Sequence, residues 1–245
     1  LEIRLLALGD RVSAISPQMV ARLLAKGVPA ERTYELRNWA NGHFAPDPAG
    51  AQDYRREWGL GTRKLALYSG NIANKQGIEL VVEAARQLRH RDDIAFVICG
   101  EGPNRARLEQ LSAELGNVQL HGLQPAGRMG ALLSLASVHL LPQIPEAADL
   151  VLPSKLTNML LSGRPIAATA AAGTGLAAEV EGCGLVTPPG DAAAFAAAIA
   201  RLADEPVLAA RLGKAARQRA ADRWNRDEIL RRFEARLAEL VGKDD

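Results

Sequence analysis

Two stretches of this chain combine a lysine with a tight turn or a helix start, an arrangement that suits anion binding. In the first, residues 68–77, an apolar run ends, Gly70 and Asn71 follow in the turn, and a helix is predicted to begin just after Lys75. Backbone N–H groups and one ammonium would then lie at the carboxyl edge of a sheet, where a phosphate can bind. An ordinary strand-to-helix turn with a solvated lysine fits the same residues, and the segment alone favours neither reading.

The second stretch covers residues 149–165. Ser154 is predicted to lie just inside the start of a helix that Gly163 ends, and helical spacing puts Lys155 and Asn158 on neighbouring rows of the first turn. A serine, a lysine and unpaired N–H groups at a helix start form a suitable anion site. The alternative is an ordinary helix start with exposed polar residues.

Two further glycine segments resemble dinucleotide fingerprints only in part. Gly100-Glu101-Gly102-Pro103 has Arg105 where the third glycine belongs, so we interpret it as a tight turn with a proline near the first helical position,. Residues 173–178 match G-x-G-x-x-A, but Gly182 and Gly184 leave no room for the full crossover helix that a nicotinamide site requires. We therefore expect a glycine loop at the ligand edge there.

The remaining reactive residue types indicate no other chemistry. Two cysteines make no disulfide framework, and Cys99 and Cys183 are predicted to be reduced structural thiols of a cytosolic protein,. The four histidines show no metal-ligand spacing. The net charge of +2, without a basic stripe interleaved with aromatic residues, disfavours nucleic-acid binding,. No apolar stretch approaches the roughly 20 residues that span a bilayer.

Short aliphatic runs alternate with helical patterns and define the elements that must position these residues. One amphipathic stripe consists of Ile78, Val81, Val82, Ala85 and Leu88,. The alternation predicts an α/β fold, with a Rossmann-like parallel sheet and helices on both faces. The predicted strands cover residues 12–15, 65–68, 94–99, 118–121, 138–141, 166–169 and 184–187.

The two ends differ from this regular middle. Residues 1–30 give one strand and one helix, residues 37–63 read as a polar connection, and the regular alternation starts at Lys64. From Asp191 onward the chain is predicted to be helical, and its last helix carries Ile229, Phe233, Leu237 and Leu240 on one face.

The order of these motifs resembles that of the family-four glycosyltransferases, whose fold is called GT-B. In that family a glycine and a Lys-Gly pair follow the first strand of the C-terminal domain, then a G-x-G-P turn, a strand ending in glycine, a small-Gly-x-Pro segment and a closing Gly-Leu-Val segment. The corresponding parts of this sequence are Gly70 to Gly77, Gly100 to Pro103, and residues 118–122, 162–165 and 184–191. The Pro-Ser-Lys-Leu-Thr-Asn segment resembles transferases of bacterial exopolysaccharide (colanic-acid-type) synthesis.

The resemblance implies a division of the chain and a set of donor-binding residues. Residues 1–40 would be the remnant of an N-terminal acceptor domain, 41–223 the donor domain, and 224–245 a helix returning toward the first domain. Asn158 replaces the glutamate that contacts the donor ribose, and the glutamate that contacts the hexose aligns near Asp149 or Leu150, of which Asp149 is taken as the site residue. Because Asn71 replaces the usual arginine of the diphosphate clamp, Lys75 and Lys155 would carry more of that charge. Gly70 and Ser154 complete the predicted donor site.

The implied function is transfer of a hexose from a UDP- or GDP-sugar to a glycan or lipid-linked acceptor, with retention at the anomeric carbon and without a metal or other cofactor. The acceptor site would lie in a missing N-terminal domain, so this chain alone would bind donor but scarcely react. No residue is assigned a catalytic role. A cytoplasmic location is expected, with peripheral membrane association left open. A GT-B nucleotide-sugar epimerase and a non-catalytic nucleotide-binding module remain alternatives.

Overall fold

The computed structural model describes residues 2–39, 45–73, 76–145 and 152–242. The strands are β1 (Val12–Ala14), β2 (Thr33–Glu35), β3 (Lys64–Ser69), β4 (Ile94–Cys99), β5 (Val118–His121), β6 (Val138–Leu141), β7 (Ile166–Thr169) and β8 (Gly184–Thr187). The α-helices are α1 (Glu2–Leu8), α2 (Pro17–Ala25), α3 (Pro48–Glu57), α4 (Glu79–Gln87), α5 (Arg105–Ser112), α6 (Met129–Leu135), α7 (Lys155–Ser162), α8 (Gly175–Val180), α9 (Ala192–Asp204), α10 (Pro206–Arg223) and α11 (Arg226–Val241).

Six strands form one parallel sheet in the order β5-β4-β3-β6-β7-β8. Side chains of β3 and β4 alternate between its faces: Tyr68 and Phe96 join the core under α4 and α9, whereas Leu67 and Val97 join the core under α3 and α6. Near-continuous apolar strands are typical of a sheet buried on both faces. The predicted α/β class with helices on both faces is thus confirmed.

The amphipathic stripe that begins at Ile78 is buried along its length and forms the inner face of α4. Gly163 ends α7 as predicted, in the left-handed conformation with φ at 69°,. The helical tail is confirmed as α9, α10 and α11. On the apolar face predicted for the last helix, only Ile229 is buried, and Leu237 is 45% exposed.

The connection at residues 37–63 is less irregular than its polar composition predicts. Asp47 accepts a hydrogen bond from Gly50 N at 2.8 Å, and Pro48 occupies the first turn, so together they start α3,. Tyr54 is fully buried there, in the same core cluster as Leu132 of α6. Tertiary packing stabilises this helix where local composition suggested a loop.

A second, two-stranded sheet pairs β1 with β2 in parallel. The last helix lies beside it, since the guanidinium carbon of Arg236 on α11 is 4.7 Å from the ring centroid of Tyr34 on β2. This contact is in keeping with the predicted division at residues 40 and 223, which stays a prediction.

Candidate functional site

The strand order creates a crevice at the centre of the main sheet. From β3 the chain moves outward to β4 and β5, then crosses back to β6 on the other side of β3. The helices that follow β3 and β6 therefore leave in opposite directions. Ligands of open parallel sheets bind in this position, beyond the carboxyl ends of the strands.

The floor of the crevice is a pair of loops in backbone contact. Gly70 N donates to Cys99 O at 3.0 Å, and Ile72 N donates to Glu101 O at 2.9 Å, so the ladder between β3 and β4 continues past both strands. A Cβ on Gly100 would lie 1.9 Å from Gly70 O, and one on Gly102 would lie 2.2 Å from Ile72 O. Both glycines are needed for this close approach, which accounts for them without a ligand.

Arg105 holds the neighbouring edge in place. Its guanidinium donates to Gly100 O at 2.8 Å and to His121 O at 3.1 Å, joining the ends of β4 and β5. Arg105, which occupies the position of the third glycine in a dinucleotide-binding motif, thus has a structural role.

Lys155 reaches into the crevice from the first turn of α7. Its Nζ lies 4.0 Å from the ring centroid of Tyr68 on β3, and a side-chain carbon on Gly70 would lie only 3.5 Å from it. The Tyr68 hydroxyl donates to Asn71 O at 2.6 Å, which fixes the ring beneath the ammonium. Lys155 Nζ is buried, yet no residue in the described ranges accepts a hydrogen bond from it. Burial lowers the pKa of Lys155 from 10.5 to about 7,.

Two amide oxygens from the same edge are also buried and have no hydrogen-bond partner among the described residues: Asn158 Oδ1 on α7 and Gln76 Oε1 after β3. Gly77 beside Gln76 packs against the loop after β6, because a Cβ on Gly77 would lie 3.1 Å from Ile144 Cγ2. Buried polar atoms without partners are rare in native proteins and call for an explanation. Three such atoms, on Gln76, Lys155 and Asn158, come from the two segments that border the switch point. The others found among the described residues lie elsewhere: Asn117 Oδ1, His139 Nδ1, Glu179 Oε2 and Trp224 Nε1.

The structure thus places five of the predicted site residues at one edge: Gly70, Asn71, Ser154, Lys155 and Asn158. It brings Lys155 directly against Gly70. Lys75 and Asp149 lie outside the described residues.

Tyr68 and Gln76 were not predicted to be site residues. The alternation of β3 shows only which face of the sheet Tyr68 occupies, and it cannot show that a lysine 87 positions later covers the ring. A polar residue beside the glycine at the predicted helix start was the one available signal for Gln76.

The glycine loop after β7 behaves as expected. Thr174 caps α8 by accepting a hydrogen bond from Ala177 N at 3.3 Å, and α8 ends at Val180. A helix of this length does not provide the crossover that a nicotinamide fingerprint needs. Beside the loop lies a cavity of about 760 Å³, lined mainly by small and apolar residues such as Ala171, Leu185 and Pro188.

Both cysteines are free and buried. Within the described ranges, no group of three or more His, Cys, Asp or Glu side chains could hold a metal ion. None of the helices in those ranges is both long and apolar enough to cross a membrane.

The family model of the glycosyl transferases group 1 matches residues 51–219, a range that contains the whole main sheet and the crevice. The chain belongs to the group 1 glycosyl transferases. The expected family and its GT-B fold are thereby confirmed.

Curated relatives of this group 1 glycosyl transferase come from several bacteria. It is 36% identical over 234 residues to the putative colanic acid biosynthesis glycosyl transferase WcaI of Escherichia coli K12, covering 91% of this chain and 56% of that protein. It is 28% identical to the GDP-mannose-dependent alpha-(1-6)-phosphatidylinositol monomannoside mannosyltransferase of Mycolicibacterium smegmatis, covering 94% and 58%. The chain spans about half the length of the curated relatives it matches.

Solved structures agree with this assignment. Sucrose-phosphate synthase from Thermosynechococcus elongatus superposes with a TM-score of 0.81 at 27% identity, covering 99% of this chain and 61% of that one. Anabaena HepE in complex with UDP-glucose superposes with a TM-score of 0.79 at 17% identity, covering 98% and 68%. At this identity, the similarity to HepE concerns the fold alone.

Proposed function

We propose that this group 1 glycosyl transferase binds the nucleoside diphosphate of a UDP- or GDP-sugar at the β3–β6 switch point and serves the transfer of its hexose to a glycan or lipid-linked acceptor. The observation that carries the proposal is the buried amine of Lys155, which has no hydrogen-bond partner among the described residues and faces Gly70 at the position where parallel sheets bind ligands,. Named relatives act in colanic acid synthesis or depend on GDP-mannose, and HepE was crystallised with UDP-glucose.

Each site residue has a role in this proposal. Lys155, the backbone at Gly70 and Asn71, and the helix start at Ser154 bind the diphosphate, with Lys75 as a second cation. Asn158 contacts the ribose and Asp149 the hexose. As the glycosidic bond breaks, the departing diphosphate gains charge, and fixed cations and N–H dipoles stabilise that charge. These groups need no metal to do so.

Retention at the anomeric carbon follows from the family resemblance and is part of the proposal. We place acceptor binding, and part of the catalytic centre, in a domain that corresponds to the portion of the relatives outside the matched half. This chain by itself would then bind donor and transfer little sugar. The curated relatives named above are transferases, and nothing in them supports the epimerase alternative.

Isothermal titration calorimetry on this chain tests the proposal. UDP-glucose, GDP-mannose, ADP-glucose, NAD and the free nucleosides are titrated into the wild type, Lys155→Met and Lys214→Met. Lys214 is an exposed lysine on α10 and serves as the matched control. We expect at least one nucleotide sugar to bind the wild type. Loss of a charge-assisted contact of about 1.5–3 kcal/mol should weaken it by roughly 10- to 150-fold in Lys155→Met only.

Nucleoside binding should change little in either variant. Equal affinity of the wild type and Lys155→Met for every nucleotide sugar would remove Lys155 from the site. Binding of NAD without binding of any nucleotide sugar would overturn the proposal as a whole.

A further inference from the structure

The described surroundings of the Lys155 amine offer it no ion pair. Its Nζ is buried, makes no hydrogen bond to any residue the structure describes, and lies against the face of the Tyr68 ring and the open side of Gly70. It also lies at the amino end of α7, where the helix dipole disfavours a positive charge. The attraction of the aromatic face offsets part of this cost.

The elements around Lys155 contribute few titratable groups. From β3 comes Tyr68, whose phenol stays neutral because burial raises its pKa well above the usual range,. The loop after β3 gives an amide, Asn71, and α7 itself gives Ser154 and Asn158. From α10 comes Arg217, whose guanidinium donates to Ser162 O at the opposite end of α7. The sequence of α6, Met129–Leu135, has no charged residue.

The loop after β4 carries Glu101, whose carboxylate lies 3.5 Å from Arg105. Since no described residue accepts a hydrogen bond from the amine, burial is the effect that shifts its pKa. Its pKa of about 7 in the free protein follows from that desolvation,. A bound diphosphate would supply the missing negative charge and would raise the pKa again, because an adjacent opposite charge favours the protonated form.

We infer that Lys155 is largely uncharged in the free protein above neutral pH and takes up a proton when the nucleotide sugar binds. The inference rests on the proposed function, since it requires the diphosphate to lie against Nζ. The proton comes from solvent, adds to the lone pair of the amine, and returns to solvent when the nucleotide leaves. Donor affinity would therefore depend on pH through a residue that loses most of its charge above neutral pH in the free protein.

Calorimetry in two buffers measures this proton directly. A nucleotide sugar that binds the wild type is titrated at pH 8 in phosphate and in Tris, whose ionisation enthalpies differ. A nucleotide sugar is the right probe because its doubly esterified diphosphate does not titrate near neutral pH. We expect uptake close to one proton per molecule bound, and an affinity that falls up to about tenfold per pH unit between pH 7.5 and 8.5.

Lys155→Arg is the decisive variant, because a guanidinium stays charged at every accessible pH. It should bind without proton uptake and with an affinity that is flat over the same pH range. Binding by the wild type with equal heats in both buffers would overturn the inference while leaving the proposed function intact. Uptake that persists in Lys155→Arg would assign the proton to another group and would equally overturn it.

If Lys155→Arg does not bind, Lys155→Met decides the question through its residual binding at high protein concentration. If Lys155→Met binds the nucleotide sugar without taking up a proton, the inference is supported. If proton uptake persists in this variant, the inference is contradicted. Failure of every nucleotide sugar to bind the wild type would instead contradict the proposed function, so the two failures are distinguishable.

Discussion

Lys155 and Glu179 are buried ionisable residues on consecutive helices of the same sheet, in different electrostatic surroundings. The carboxylate of Glu179 on α8 lies 2.7 Å from Arg37, which follows β2, and 3.1 Å from Arg223 at the end of α10. The ammonium of Lys155 has no described partner. The carboxylate of Glu179 is paired with two guanidinium groups, whereas none of the residues that the structure describes pairs with the Lys155 amine.

The difference separates a structural role from a binding role. Glu179 brings together three segments that are distant in sequence, and the guanidinium carbon of Arg37 also lies 5.2 Å from the ring centroid of Trp224. Lys155 forms no ion pair with a described residue, and its amine lies against the ring of Tyr68. Glu179 Oε2 has no hydrogen-bond partner among the described residues, yet its Oε1 lies against both guanidinium groups, so the carboxylate fixes how these segments dock,. A buried amine without such an ion pair costs stability in the free protein.

The largest expected effect is on stability and comes from Glu179→Ala. Glu35 also lies 2.7 Å from Arg37 and would still compensate part of its charge, so removing Glu179 should lower the free energy of unfolding by about 3 kcal/mol, the lower end of the range for breaking a buried ion pair,. Urea denaturation followed by circular dichroism measures the loss. Glu181→Ala, at an exposed position two residues later, is the control. A loss below about 1 kcal/mol in Glu179→Ala would show that the pair does not hold the segments together.

Lys155→Met should act in the opposite direction. Replacing a buried polar group that lacks a partner should raise the free energy of unfolding of the unliganded protein by about 1–3 kcal/mol at pH 7. The folded state loses its proton near pH 7 and the unfolded state only near 10.5, so between these values the unfolded chain binds more protons and wild-type stability rises with pH,. The gain should therefore shrink toward pH 10 in a series of urea titrations. A Lys155→Met variant less stable than wild type at pH 7 would contradict this account.

Gly100→Ala tests whether the Lys155 region can be disturbed separately from the Glu179 region. The added Cβ would lie 1.9 Å from Gly70 O, so the backbone that faces Lys155 must shift, at a cost of about 1–3 kcal/mol,. Nucleotide-sugar affinity should fall with stability. Gly116→Ala, where a Cβ would meet nothing within 4 Å, should change neither. Unchanged calorimetric affinity in Gly100→Ala would show that the floor of the crevice does not position the ligand.

The smallest effect should come from Arg223→Ala. Its side chain is 49% exposed, whereas that of Arg37 is 14% exposed, and Arg37 remains to neutralise Glu179. We expect a loss of about 1 kcal/mol or less for Arg223→Ala and a clearly larger loss for Arg37→Ala, both from urea denaturation. Equal losses of unfolding free energy in the two variants would mean that the more buried ion pair is not the stronger one.

The sequence by itself determined the local elements and the edge at which chemistry can occur. Runs such as residues 94–99 are strands because nearly every residue in them is apolar, and Gly163 ends a helix because glycine adopts positive φ without penalty,. The motif order was sufficient to predict the family. These features depend on residues that are neighbours in the chain, which is why their pattern can be read directly. The pattern failed at α3, where burial of Tyr54 outweighs a polar composition.

Only the tertiary structure decided which distant residues meet. Arg37 and Glu179 are 142 positions apart, and the ring that lies beneath Lys155 belongs to β3. Neither contact has a periodicity that could predict it, because each results from how whole elements pack. The lowered pKa of Lys155 has the same origin. Desolvation is a property of the folded surroundings, so a lysine that is ordinary in the sequence becomes a desolvated amine only when the fold buries it against β3,.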